Sequence, residues 1–346
     1  MKINTFKLSL FILTVLTVFI SCEDDDLPTI TFVEEDRTEQ QMKDSDSIID
    51  YLSTHYYNSS FFETGTDHKY TDIIITELQA GEDVPEGSTL LMDAVETHTT
   101  EFLEVDYEYY ILRINQGAGE APKFTDLVRV RYEGSSVEDG EVFDSRITPL
   151  DLTLVGNGFN TFGTIRAWQL VMPSFNTSTG FSIDNGVVNY NNFGLGVMFV
   201  PSGLAYFSGI TTGSSYDNLI FKFEMLQYET VDDDGDGIPS YAEDLDANLS
   251  VFDDDSDEDE APNFIDLDDD DDDVSTFNEL EQTIYTVDTN MGESEPTLDD
   301  NEYEYSRSTD AGIITITTVK ALDTDGNGVL DYLDDEVTIN YNETSS

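Results

Sequence analysis

The sequence predicts an α+β fold for its central part: an antiparallel sheet wrapped on one helix, preceded by a small N-terminal segment with a helix and followed by an acidic loop region. Three observations carry this. Between Tyr107 and Tyr228 the runs "YEYYILRI", "LVRVRYEG", "EVFDS", "LDLTLVG", "GVMFVPS" and "NLIFKFEMLQY" are short, aromatic or β-branched, and separated by turn residues, as antiparallel strands require. One helical segment, "FGTIRAWQLVM", interrupts them. After Glu229 the composition turns abruptly to aspartate, which places a domain boundary near residue 230.

Residues 1–21, "MKINTFKLSLFILTVLTVFIS", carry Lys2 and Lys7, an apolar run and then Ser21. This is the pattern of a secretory signal peptide, with an apolar centre too short for a membrane span. The following "FISC" resembles the lipobox of bacterial lipoproteins, with Phe19 where leucine is commoner. The resemblance implies lipidation at Cys22 and a bacterial outer-membrane lipoprotein, periplasmic or surface-exposed. An ordinary signal with an incidental cysteine is the alternative. Glu23, Asp24, Asp25 and Asp26 look like the surface-export signal of Bacteroidetes lipoproteins, although a solvated linker has the same composition. Cys22 is the single cysteine, so no intramolecular disulfide is possible.

Residues 22–40 are polar without a sustained period and read as a lipid-anchored tether. In residues 41–104, Asp46 is an N-cap candidate ahead of Ile48, Ile49, Leu52 and Tyr56, which share one helix face. Weak alternation over 70–104 predicts strands or a small subdomain without a definite place in the fold. Residues 105–229 form the sheet domain.

Within it, "YEGSSVEDGEVFDS" reads as a hairpin turning at Asp139-Gly140, with Tyr132, Phe143 and Asp144 close together. Taken singly these are ordinary sheet-face aromatics and a turn cap, and a lone Trp168 at helical spacing is ordinary core. The ordered set "DLVRVRYEGSSVEDGEVFDS", "PLDLTLV", "TIRAWQL", "FVPSGLAYF" and "NLIFKFEML" resembles the FKBP-type peptidyl-prolyl isomerases. That resemblance implies an aromatic-lined proline pocket between sheet and helix. Its wall residues would be Tyr132, Phe143, Asp144, Ile165, Trp168, Tyr206 and Phe221, with Leu150 and Leu152 contacting substrate. The backbone amide of Ile165 would hold the substrate carbonyl. No cofactor is implied for catalysis. Three departures stand out: Arg166-Ala167 precedes the tryptophan where glycine is frequent, residues 176–195 form an insertion, and "FSGITTGSSYD" lacks the apolar-Pro-Pro overhang. A binding-only pocket therefore stays open beside a catalytic one.

In residues 230–346, "DDDGDGIPSYAE" places Asp232, Asp234, Asp236, the Ile238 carbonyl and Glu243 at calcium-loop positions 1, 3, 5, 7 and 12. The frame recurs three more times. "DSDEDEAPNFID" offers Asp255, Asp257, Asp259 and Asp266; "DDDDDDVSTFNE" offers Asp268, Asp270, Asp272 and Glu279; "DTDGNGVLDYLD" offers Asp323, Asp325, Asn327, the Val329 carbonyl and Asp334. Glu260 and Asp273 occupy the glycine slot of the middle two. Pro and Tyr after the first glycine, without flanking amphipathic helices, make the segment look like thrombospondin type 3 repeats. That likeness implies structural calcium rather than a switch; a disordered acidic tail is the alternative.

The charge balance limits partners. With 74 Asp plus Glu against 14 Lys plus Arg, the formal net charge of -60 repels nucleic acid and favours cations. The expected partners are proline-containing polypeptides, calcium, and a membrane through the lipid at Cys22. His55, His68 and His98 are scattered without metal-ligand spacing.

Overall fold

The computed structural model describes residues 33–342, so the signal segment and Cys22 lie outside the described residues. The chain runs α1 (Arg37–Thr54), β1 (His55–Tyr57), β2 (Ile75–Glu77), β3 (Thr89–Leu90), β4 (Glu96–Phe102), β5 (Val105–Asn115), β6 (Leu127–Ser136) and β7 (Val142–Thr153). After α2 (Arg166–Val171) come β8 (Gly180–Asp184), β9 (Val187–Asn191), β10 (Gly194–Val200) and β11 (Leu219–Glu229). The acidic segment adds β12 (Glu281–Asp288), β13 (Glu302–Asp310) and β14 (Ile313–Lys320).

The main sheet has six antiparallel strands in the order β4-β5-β10-β11-β6-β7. The stretches "EVFDS" and "LDLT" are one strand, β7, paired with β6 through two register shifts. On one face, Tyr107, Tyr109, Ile111, Val130, Tyr132, Met198, Phe221 and Phe223 bury against Trp168 and Val171 of α2. On the other, Tyr110, Leu112, Val197, Phe199 and Ile220 bury against Ile48 and Leu52 of α1. Covering both faces explains why β10 is buried throughout and why β5 reads as a near-continuous apolar run.

The segment before Glu96 is thus the second cover of the sheet. Its helix begins at Arg37 rather than after Asp46, because the Asp36 carboxylate accepts the N–H of Thr38 at 2.9 Å and of Glu39 at 3.0 Å. Residues 37–40, expected as tether, are helix. The early turns were illegible because they bury Gln40, Gln41 and Asp44 instead of apolar side chains. Asp44 accepts Gln40 Nε2 (2.7 Å), Ser202 N–H (3.0 Å) and Ser202 Oγ (2.6 Å), fixing α1 to the turn after β10.

A second tie is the buried Glu224 on β11, which accepts Arg131 Nη1 at 2.8 Å and the Tyr70 backbone N–H at 3.1 Å. Glu224→Ala leaves both donors unmatched in a covered site. The expected loss is about 3 kcal/mol, read as a lower urea midpoint with an unchanged slope.

The insertion forms a two-stranded ribbon, β8–β9, whose Tyr190 packs with Phe193 and Leu226. In the acidic segment the β-branched stretch "GIITITTVKAL" alone reads as a strand, and β14 within it is the centre of a three-stranded sheet, β12-β14-β13. β13 escaped notice because "YEYSRSTD" is exposed along nearly its whole length and carries no apolar alternation. Ile238, Leu280, Val319, Ala321 and Tyr332 make the core of this region. Val251 and Phe264 pack on Phe124 and Val155 of the sheet domain. Residues from Asp36 onward belong to one compact unit, and no described helix is long and apolar enough to cross a membrane.

Candidate functional site

The hairpin β6–β7, the start of α2, the strand β11 and the turn after β10 converge on a cavity of about 370 Å³. Tyr132, Phe143, Asp144, Leu152, Ile165, Trp168, Tyr206 and Phe221 all line it. Leu150 packs against the same core from one step earlier on β7 but is not among the lining residues.

The floor is a set of edge-to-face rings. Trp168 meets Tyr132 and Phe221 at 5.3 Å each, both at 66°, and Phe143 meets Phe221 at 5.7 Å and 87°. Trp168 and Phe221 are 4% and 2% exposed, so these rings bound the cavity without being free to turn. Close approach of Phe143 and Phe221 depends on Gly134: a Cβ there would lie 2.7 Å from one ring and 2.8 Å from the other. Gly134→Ala is expected to cost about 1–3 kcal/mol by overpacking and to displace the Phe143 wall; chemical denaturation measures the first and peptide affinity the second.

The rim is polar on one side. Tyr132 Oη donates to Asp144 Oδ2 at 2.6 Å, and Arg146 pairs with the other carboxylate oxygen. Burial, reinforced by the Asp144 hydrogen bond, pushes the Tyr132 phenol well above its ordinary range, so it stays a donor. Tyr206 is also raised, by burial and then by the Asp144 charge. Ile165 caps α2 in an extended conformation, and its N–H has no acceptor among the described residues.

Three contributions were missed in the sequence. Phe162, 84% exposed, lines the cavity from the loop before α2. Asp151 and Thr153 add polar lining on β7. The turn bearing Tyr206 is braced by α1: the Arg37 guanidinium lies 3.9 Å over the Phe207 ring and donates to Gly203 O at 3.4 Å, beside the Asp44–Ser202 bonds. No local motif marks a brace between residues so far apart in sequence.

The acidic loops share one backbone template. Positive φ recurs at positions 4 and 6: Gly235 and Gly237, Glu258 and Glu260, Asp271 and Asp273, Gly326 and Gly328. The glycine slot thus keeps its left-handed turn in the middle two loops despite the side chains. The same signature at Ala247 and Leu249 reveals a fifth loop, starting at Asp244, where four were expected. It was overlooked because it carries Asn248 in place of the position 5 acid and Leu249 in the glycine slot, and runs directly into Asp255. In each loop the position 3 side chain accepts the N–H of position 5, for example Asp236 to Asp234 at 3.1 Å and Asp259 to Asp257 at 2.9 Å.

Carboxylate oxygens lie within 4.8 Å of one another in Asp232/Asp234/Asp236, Asp244/Asp246/Asp254, Asp255/Asp257/Asp259 and Asp268/Asp270/Asp272. Burial, and then neighbouring carboxylates with Asp266 among them, raises the pKa values of Asp236, Asp257 and Asp269. Glu243 and Glu279 are each 1% exposed and neither has a hydrogen-bond partner on either oxygen. Burial, then neighbouring carboxylates, pushes Glu243 up to about 11 and Glu279 to about 9. An all-oxygen donor set with orphaned, buried carboxylates fits a hard divalent cation. In the last loop Asp323 accepts the N–H of Gly326 and Gly328, and Asn327 Nδ2 donates to Asp334 at 2.7 Å. Ile238 is fully buried, whereas Val329 is 43% exposed.

A family model described as BamM C-terminal matches residues 233–305, a span that takes in most of the acidic loops and β12. No curated protein matches. Among solved structures, a peptidyl-prolyl cis-trans isomerase from Pseudomonas syringae pv. tomato is 20% identical, covering 35% of this chain and 75% of its own, with a TM-score of 0.27. The N-terminal domain of FKBP42 from Arabidopsis thaliana is 12% identical over 35% of this chain and 86% of its own, at 0.27. FkpA from Escherichia coli is 18% identical over 66% of this chain and 84% of its own, at 0.30. At such identities and scores it is the chain's own side-chain geometry that bears on function.

Proposed function

We propose that residues 105–229 bind proline-containing polypeptides and catalyse cis-trans isomerisation of the X-Pro bond, as an FKBP-type folding helper of the cell envelope. The observation that carries this is the 370 Å³ cavity walled by Tyr132, Phe143, Ile165, Trp168, Tyr206 and Phe221. Rotation of an X-Pro bond breaks amide resonance against a barrier of roughly 18–20 kcal/mol. The twisted amide is less polar than the planar one, so ring walls that exclude water disfavour the ground state relative to it. The free Ile165 N–H is available to the substrate carbonyl, and the Tyr132–Asp144 pair supplies a polar edge at the rim. No nucleophile or cofactor enters the step.

A second reading, binding without turnover, is favoured by the segment after Tyr206: Ile210 is 74% exposed and none of residues 207–216 lines the cavity. Trp168, the single tryptophan, reports binding under either reading. Titrating a proline peptide into the full chain shifts its fluorescence under both readings. Acceleration of isomerisation occurs under the first alone. If neither signal responds, both readings fail.

The acidic loops hold calcium as a structural ion. Asp232, Asp234, Asp236 and Glu243, and their counterparts in the loops at Asp255, Asp268 and Asp323, supply the side-chain oxygens, supported by the orphaned Glu243 and Glu279 carboxylates. The ion adds charge neutralisation; the chain holds the acids in place through the left-handed turns. The N-terminal region acts as a signal peptide and lipid anchor at Cys22, setting the protein on the outer membrane. Mass spectrometry of the processed N-terminus, with or without a diacylglyceryl group on Cys22, decides this.

A further inference from the structure

We propose that Asp269, from the fourth acidic segment, is a ligand of the cation held by the first, so that one divalent ion ties residues 232–243 to residues 268–279. The inference rests on the calcium reading above and assigns a ligand that the 1, 3, 5, 12 frame does not contain. Asp269 occupies position 2 of its own loop, where the frame asks for nothing.

Three observations place it there. Carboxylate oxygens of Asp236, Glu243 and Asp269 lie within 4.8 Å of one another. The three residues are 1%, 1% and 2% exposed. Both oxygens of Glu243, both of Asp269 and Oδ2 of Asp236 lack any hydrogen-bond partner. A buried acid without a donor is costly, and three side by side add mutual repulsion. Two arrangements relieve this: a shared proton or a shared cation. A proton shared between two of these carboxylates still leaves the remaining orphaned oxygens without a partner. A cation satisfies all of them at once, and an oxygen-only set selects a hard ion of the calcium type.

The backbone is built to present the group. The Asp269 N–H donates to Thr276 Oγ1 at 3.2 Å, and neither of its carboxylate oxygens bonds within its own loop. In the first loop the equivalent position is Asp233, whose Oδ2 instead accepts from Ser240 Oγ at 3.2 Å and joins no carboxylate group. One ion between Glu243 and Asp269 would close the intervening chain, including two further loops, into a ring, lowering the entropy of the unfolded segment as a cross-link does.

The test uses the full chain with calcium chloride as the probe, comparing Asp269→Asn, Glu243→Gln and their double variant with Asp233→Asn as a charge-matched control. Calorimetric titration is expected to show at least one site weakened more than tenfold in Asp269→Asn. Glu243→Gln should weaken the same site, and the double variant should lose little more than either single one. Asp233→Asn should stay within about twofold of the unchanged chain. Melting in chelator should leave Asp269→Asn as stable as the unchanged chain or more so, since a repulsive charge is gone, while its gain on adding calcium shrinks. A merely structural aspartate would lower the melting point equally in both media, and that result overturns the proposal. Calcium affinity unaltered by Asp269→Asn overturns it too. No calcium uptake by the unchanged chain overturns the calcium reading itself, and this proposal with it.

Discussion

Millimolar calcium is expected to raise the unfolding midpoint of the acidic region well above its value in chelator, and to compact it. The segment carries most of the carboxylates behind a net charge of -60, and its loops hold them within 4.8 Å of one another. Without a counter-ion that proximity is repulsive; with one it is a donor set. Extracellular calcium modules bind at roughly 0.1–1 mM, so about 2 mM calcium stabilises each site by roughly 0.7–1.8 kcal/mol through mass action. Over the four loops named from the sequence this amounts to roughly 3–7 kcal/mol, a large share of any domain's stability. Differential scanning calorimetry reads the shift and small-angle scattering reads the compaction. Superimposable curves in chelator and calcium would remove the ion from the account.

Trp168→Ala is expected to abolish peptide binding and isomerisation together. The indole is 4% exposed, contacts Tyr132, Phe221 and Phe223, and separates the cavity from the core beneath it. Removing it costs about 3–5 kcal/mol in stability, so loss of activity alone would be ambiguous. Tyr206→Ala resolves that. Tyr206 lies at the mouth, 37% exposed, and its removal should move the melting point little while lowering kcat/KM tenfold or more, equivalent to about 1.4 kcal/mol of transition-state stabilisation. A Tyr206→Ala chain with unchanged kcat/KM would mean that the cavity mouth does not meet the substrate.

Much of the sheet and the cavity wall was legible because its residues sit in ordered local patterns. Tyr132, Phe143 and Asp144 fall within one hairpin, and Ile165 and Trp168 within one helical turn, so short-range spacing carries them. What stayed hidden was long-range. The brace from Arg37 and Asp44 onto residues 202–207 joins elements some 160 positions apart and uses buried polar groups, which a hydropathy pattern counts as surface. The start of α1 was hidden for the same reason. In the acidic region the 1, 3, 5, 12 frame identified four loops but passed over the one at Asp244. The backbone signature there is present, yet the side chains that usually report it are replaced by Asn248 and Leu249. Asp269 was invisible because its neighbours in space belong to another loop.

The most direct test of the central claim is the isomerisation rate of a proline tetrapeptide, followed by NMR exchange between its cis and trans forms, with the full chain added in catalytic amount. Exchange well above the uncatalysed rate is expected, reduced by Tyr206→Ala and insensitive to the Asp269→Asn change in the acidic loops. Exchange equal to that of free peptide, at concentrations where Trp168 fluorescence reports binding, would contradict catalysis and leave a proline-binding scaffold.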